Sequence, residues 1–513
     1  MRTKYFSALI GAFAIGACTY DFPVQEPPTT GQTDFAKMVS IGNSLTAGFM
    51  DNALYTAGQT NSYPAIIARQ AAILGGGSFT QPTVNSANGC SNPTGATPCS
   101  QGRLILRNPL SPAPAPTTGD VRALEAFSAV PKNQLNNWGV PGVTLQTALI
   151  PQTGGPISPL NPAFNPYYAR IASNPGTSTL VGDAAASLAN GGTFFTFWLG
   201  NNDVLGYATG GASNPAILTS QADFQTRFNE ALKAILAAKA DAEGAVANIP
   251  NVTSIPFFTT VPVNPVPLDA ATTNVLNSNF AGYNTTLDAF KGAPFSLPAA
   301  EMDGRKIRFT AGPGNRVVIT DETALDLGPL WDQLVLAGLL PAAARAALEP
   351  YRRARQAVAT TSTVQGDLIV LPAASFIGTT VGGNPLLVNG VSVPLADNWV
   401  LLPSEQTEVQ NAVTGFNNTI KAAVDAQPTR LVLVDVNKAF ADVRAGIVTI
   451  NGSSFTASIT PPFGGFSLDG VHPNQRGYGY IANLFIQGIN AKWKAKIPLC
   501  NPNDFSGNAL PIP

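Results

Sequence analysis

The chain has 513 residues, with 29 Lys plus Arg against 30 Asp plus Glu and a formal net charge of -1. That balance offers no basic face to a phosphate backbone and argues against a nucleic-acid partner. Charged residues make up only 12% and hydrophobic ones 45%, with 48 Gly and 43 Pro, a composition that fits an exported, loop-rich globular protein. The length suffices for one large core, or for a catalytic domain with a substantial insertion.

Residues 1–18 read as an export signal. Arg2 and Lys4 supply the positive end, and residues 5–17 form an apolar core too short to span a bilayer. Ile15-Gly16-Ala17-Cys18 resembles a bacterial lipoprotein box, which implies cleavage before Cys18, lipid attachment there, and an outer-membrane anchor facing either the periplasm or the outside. An ordinary signal peptide with a chance cysteine is the alternative. Residues 19–34 are polar and carry Pro23, Pro27 and Pro28, and read as a tether.

Residues 35–41 are apolar and β-branched near their end, and Gly42 breaks the run. This predicts a buried strand with Ser44 at its carboxyl end. In an open α/β sheet that edge binds ligands, so Ser44 is a nucleophile candidate. Ser62 is the predicted cap of a helix over 63–71 that has Pro64 in its first turn. Residues 75–131 form a long Gly-, Pro-, Ser- and Asn-rich loop. Its Cys90 and Cys99 are expected to pair in an oxidising compartment, stabilising by about 3 kcal/mol and leaving Cys500 over. Pairing of Cys500 with either of them is the alternative.

Asn137-Trp138-Gly139-Val140-Pro141-Gly142-Val143-Thr144 holds glycines that let backbone N–H groups approach a ligand. Residues 194–199 predict a buried strand ending in Gly200-Asn201-Asn202-Asp203. Residues 221–240 predict a helix capped by Ser220, with Phe224, Phe228, Leu232, Ile235 and Leu236 on one face. A strand over 244–250 completes a β-α-β step and hence a parallel sheet.

Residues 263–396 read as an insertion over the active-site edge, either a lid or additional packing. Within it 306–309 and 316–320 predict a hairpin around a Gly-Pro-Gly turn, 386–393 a second around Asn389-Gly390, and 341–348 an alanine-rich helix. The core resumes over 397–497. Ser404 is the predicted cap of a helix carrying Val409, Val413, Phe416, Ile420 and Val424, followed by a strand over 431–436, a small hairpin near 448–452 and a last helix over 478–489. Residues 498–513 are a C-terminal tail.

The sole histidine, His472, lies in Ser467-Leu468-Asp469-Gly470-Val471-His472-Pro473-Asn474. A serine hydroxyl needs a base, imidazole is the usual one, and the imidazole needs a carboxylate to fix its tautomer. Asp469, three residues upstream, can reach the same cleft. One histidine and scattered cysteines offer no zinc-type ligand cluster, so no metal and no cofactor is expected. The absence of a G-x-S-x-G elbow argues against an α/β-hydrolase.

The four blocks around Ser44, Gly142, Asn202 and His472 together resemble the SGNH or GDSL family of serine esterases and lipases. The resemblance implies Ser44 as nucleophile and first oxyanion donor, Gly142 and Asn202 as the other two donors, and Asp469 and His472 as the acid–base pair. It also implies a three-layer α/β/α sandwich around a parallel sheet of about five strands in flavodoxin-like order. Asn43 stands where the family usually has Asp. The expected activity is hydrolysis of carboxylic esters, of a lipid or other acyl ester. Deacetylation of an exported glycan by the same machinery is one alternative; a non-catalytic lipid- or glycan-binding lipoprotein beside an outer-membrane transporter is another.

Overall fold

The computed structural model describes residues 27–93, 99–107, 113–122 and 124–510. The export signal and Cys18 lie outside the described residues. The part of the expected tether that is described is docked: Gln32 N donates to Trp493 O at 2.9 Å, and Lys496 N to Thr29 O at 2.8 Å.

The sheet strands and their main covering helices, in chain order, are β1 (Met38–Gly42), α1 (Ser44–Ala47), α2 (Tyr63–Ala72), β2 (Asn137–Gly139), α3 (Leu145–Leu149), α4 (Leu180–Ala189), β3 (Phe194–Trp198), α5 (Asn202–Thr209), α6 (Gln221–Ala238), β4 (Glu243–Ala247), α7 (Ala270–Phe290), α8 (Pro403–Asp425), β5 (Leu431–Val434), α9 (Val436–Ala445) and α10 (Gln475–Trp493). The five strands form one all-parallel sheet in the order 2-1-3-4-5, a common doubly wound order. Both faces are covered, because alternate residues of each strand enter different cores. Val39, Ile41, Phe195, Phe197 and Val246 pack with Leu188, Phe228 and Val413 from α4, α6 and α8. Met38, Phe194, Trp198, Ala245 and Val434 pack with Ile66, Ile67, Phe485 and Ile489 from α2 and α10. The mixed α/β class and parallel sheet thus follow from near-continuous apolar strands buried on both sides.

Local chemistry sets the element ends. Ser220 caps α6 by accepting from Asp223 N, as its sequence predicts, and the Phe224 and Phe416 rings of α6 and α8 stack at 3.8 Å. Ser62 and Ser404 behave otherwise. Ser62 precedes α2, but its side chain makes no cap bond. Ser404 lies inside α8, which begins with Pro403; there Glu405 reaches back to accept from Leu402 N at 2.7 Å. Five expected apolar positions of α8 are all buried.

The insertion departs most from its sequence reading. Residues 306–309 form no strand. Instead Asn277 and Asn284, two turns apart on α7, each exchange a pair of hydrogen bonds with the backbone of Phe309 and Ile307. Gly312–Asn315 pairs with Val266–Leu268, Val318–Thr320 with Ala354–Gln356, and Asn384–Val388 with Thr380–Val381. Side-chain amides, two distant segments and a different local turn at Gly382-Gly383 replaced the expected turns. The short alanine helix is present at Ala342–Ala347, and the hairpin of Val448–Ile450 with Ser453–Phe455 forms as expected. Trp331, Tyr283 and Ile319 of the insertion share one continuous core with α6 and α8. Among the described residues, no helix is long and apolar enough to cross a membrane.

Candidate active site

The carboxyl ends of β1, β2 and β3 place three of the sequence blocks along one edge. Each strand gives way to its loop at or just before a glycine, Gly42, Gly139 and Gly200. At Gly200 the backbone has φ +107 and an added Cβ would lie 2.8 Å from the Phe224 ring, so glycine answers both the turn and the packing. The fourth block arrives from the loop before α10.

Ser44 opens α1, is 6% exposed, and its Oγ lies 2.9 Å from His472 Nε2. His472 Nδ1 lies 3.0 Å from Asp469 Oδ2. With the ring proton on Nδ1 facing the carboxylate, Nε2 is left to accept the serine proton. Asp469 Oδ1 accepts from Val471 N and His472 N at 2.9 and 2.8 Å, and its Oδ2 also accepts from Asn52 N at 2.9 Å. Burial pushes this carboxyl up, but the imidazole and the converging N–H donors outweigh it and hold it at about 2. Asp469 is therefore an anion well above about pH 2.

Two further donors line a pocket shared with the serine, from the segments that follow β2 and β3. Gly142 takes φ +78, and an added Cβ would meet nothing nearer than Asn165 Nδ2 at 3.8 Å. Among the described residues its N–H has no acceptor. Asn202 Nδ2 donates one hydrogen to Val143 O at 2.8 Å, which orients the amide and leaves its second hydrogen for a ligand. Asp203 binds the same loop, accepting from Leu145 N at 2.9 Å and from Thr219 Oγ1 at 2.9 Å. Burial raises its carboxyl to about 6. The Gly200–Asp203 block thus fixes the position of the Gly142 turn as well as supplying an amide.

Asn43 needs no carboxylate in its place. Its Oδ1 accepts from Leu45 N at 3.0 Å and caps the four-residue helix that presents Ser44.

Several supporting residues escape the sequence reading. Asp51 and Asn52 both lie in the left-handed region, with φ 53 and 60. This turn delivers Asn52 N to Asp469, while Asp51 Oδ1 accepts from Leu468 N at 3.0 Å and Oδ2 from the Tyr55 hydroxyl at 2.8 Å. Burial, with the charge of Asp469 nearby, lifts Asp51 to about 6. Phe49 packs on His472 with ring centroids 4.9 Å apart, and the Tyr478 hydroxyl holds Phe49 O at 2.6 Å. An Asp-Asn pair, the residue types that tolerate left-handed backbone, is the signal that points to such a turn.

Two pockets meet at Ser44, Asn202, Leu205 and His472. One is narrow, about 40 Å³, walled by Leu205, Val252, Ile255, Phe440 and Val471. The other is more open, about 470 Å³, and runs past Phe49, Gly142, Phe164 and Tyr167 to Ser91, Asn92 and Pro93. Cys90 and Cys99 form a disulfide with Cα atoms 5.8 Å apart, which ties the segment forming that far wall, and Cys500 is free and buried. No residue of 263–396 lines either pocket. The insertion meets the Asp469–His472 loop through Leu371, which abuts Gly470. Among the described residues one group of carboxylates, Glu322, Asp397 and Glu405, gathers oxygens within 4.8 Å of one another, away from both pockets and without His or Cys.

Comparison with protein-family models, curated proteins and solved structures returns no match to this chain.

Proposed function

We propose that this chain is a serine hydrolase of carboxylic esters, of the SGNH/GDSL type. The observation that carries the reading is the continuous relay from Ser44 Oγ through both nitrogens of His472 to Asp469, at 2.9 and 3.0 Å. His472 takes the serine proton as Ser44 attacks the acyl carbon. The Ser44 and Gly142 N–H groups and the free Asn202 hydrogen receive the charge on the carbonyl oxygen, which is the largest single contribution such a site makes. His472 returns the proton to the leaving alcohol. Water then enters, is deprotonated by His472, and releases the acid from Ser44 by the same path.

The two pockets bear on the substrate. The acyl group stays on Ser44 through both steps, while the alcohol must leave and water must enter. The narrow pocket suits the retained acyl group, and the open one suits a larger alcohol. That division favours a short acyl ester of a bulky alcohol, such as an acylated exported glycan, over a long-chain lipid. The lipoprotein box at Cys18 supports anchoring at a bacterial outer membrane, where the substrate would be met. An intact relay and two oriented donors give the non-catalytic alternative no support.

The test is hydrolysis of p-nitrophenyl esters from acetate to palmitate by protein starting just after Cys18, beside Ser44→Ala. Activity falling by about six powers of ten in the variant is the expected result. Near-normal turnover in Ser44→Ala removes the mechanism, and a profile peaking at palmitate removes the short-acyl assignment.

A further inference from the structure

A third cavity, of about 600 Å³, is lined by Asp51 and Leu468 from the loops that meet at Asp469, but by neither Ser44 nor His472. Arg103 is the one cation among its described lining residues. The backbone of Arg103 is fixed: its N donates to Asn88 O at 2.8 Å and its carbonyl accepts from Thr117 N at 3.0 Å. The guanidinium lies over the Tyr55 ring, 5.1 Å from the centroid, with Nη1 3.8 Å from Asp51 Oδ2. Tyr55 and Asp51 both line the cavity, so the head of the arginine stands at its wall. A separation of 3.8 Å is too long for a hydrogen bond, and the Asp51 oxygens are already taken by Leu468 N and the Tyr55 hydroxyl. Among the described residues the guanidinium donates no hydrogen bond. Its Nε is sealed inside the fold, whereas Nη1 and Nη2 keep accessible surface on a side chain that is 32% exposed. An arginine ordinarily spends its planar fork on an oxyanion, and this one holds the end of the fork open.

We propose that this cavity binds a carboxylate carried on an apolar chain, held end-on by Nη1 and Nη2 of Arg103. A planar carboxylate matches the end of the fork with two parallel hydrogen bonds. Asp51 sets the charge of the ligand: a monoanion shares the cation with it, whereas a phosphate dianion brings a second like charge to the same place. The walls set the rest. Met50, Ile105, Leu106, Leu468 and Leu510 are apolar, and a hydrocarbon chain removed from water against them gains affinity that the headgroup alone lacks. The volume lies within the range of small-molecule sites. This site goes beyond the esterase reading and does not depend on it.

The experiment is calorimetric titration of protein starting just after Cys18 with octanoate, 1-octanol and acetate. Octanoate is expected to bind about ten- to a hundredfold more tightly than octanol, the span of hydrogen bonds to a charged group, and more tightly than acetate by at least as much. The same titrations are run on Arg103→Gln, which removes the charge, and on Ile105→Glu, which keeps Arg103 and sets a competing carboxylate in the half-buried wall, each checked by a melting curve. In Arg103→Gln the octanoate-to-octanol ratio falls to about one, and in Ile105→Glu octanoate binds at least tenfold more weakly. Either variant suffices if the other fails to fold, and octanoate held at the hydrolytic pockets would keep its affinity in both. Wild-type affinities that are equal for octanoate and octanol, equal for octanoate and acetate, or absent overturn the proposal, as does octanoate preference retained in a folded variant. Each of those results leaves the esterase standing, because its test is hydrolysis lost in Ser44→Ala.

Discussion

Replacing Asp469 with Asn isolates the part of the relay that the structure specifies most heavily. Four N–H donors converge on this carboxylate: Val471 N and His472 N on Oδ1, Asn52 N and His472 Nδ1 on Oδ2. Asparagine keeps one acceptor, which the two donors from its own loop retain, and turns an NH₂ toward the other two. Asn52 N then faces a donor, and His472 relieves the second clash only by moving its proton to Nε2. A protonated Nε2 cannot accept from Ser44 Oγ. The expected loss is therefore in turnover, about four powers of ten or roughly 5.5 kcal/mol of transition-state stabilisation. Stability falls too, by about 1–3 kcal/mol for the bare Asn52 N–H. The assay is kcat and KM for a short-chain p-nitrophenyl ester, beside a melting curve that verifies folding. Because Asp469 is held near 2, protonation of this carboxyl does not contribute to the acid limb of the wild-type rate profile between pH 4 and 8. Its depressed value supplies stability that is present above the ordinary carboxylate range and is lost as pH falls through about 2. A folded Asp469→Asn protein retaining a tenth of the wild-type turnover refutes the tautomer argument.

Asn202→Ala removes an oxyanion donor and should lower kcat by about a hundred- to a thousandfold with KM nearly unchanged; a rise in KM at constant kcat would assign the amide to ground-state binding instead. Glu405 tests the carboxylate group in the insertion. Burial and then the adjacent Glu322 raise its carboxyl above the ordinary glutamate value of 4.5, so the stability it supplies is full below that value and is lost as pH rises through the folded one. Glu405→Gln keeps an acceptor for Leu402 N without the charge, and should melt about 1–3 °C above wild type at pH 9 with little difference at pH 4. Equal melting temperatures at both pH values would show that the charge is neutralised in another way.

The strands were legible because they are buried on both faces: residues 194–199, almost wholly apolar, leave little room for another reading. The Ser44 and Asn202 blocks were legible because each follows such a strand at a glycine, and the His472 block because it holds the sole histidine. What the sequence hid depends on tertiary partners. Nothing local distinguishes residues 306–309 from a strand; Asn277 and Asn284 on α7 take the hydrogen bonds a neighbouring strand would have made. Ser404 looks like a cap until Pro403 and Glu405 begin the helix one residue earlier. Asp51, Asn52 and Tyr478 support the relay from positions whose proximity to Asp469 and His472 exists only after folding.

The relay joins residues 428 positions apart, and the Asp51-Asn52 turn and Tyr478 fasten the two ends together behind it. A chain extended through α9 already holds the serine, Gly142 and Asn202, yet has no base. The nucleophile remains an ordinary alcohol until α10 and the loop before it dock. On the hydrolase reading, any product of early termination or C-terminal proteolysis that removes this loop carries a complete serine loop without its base.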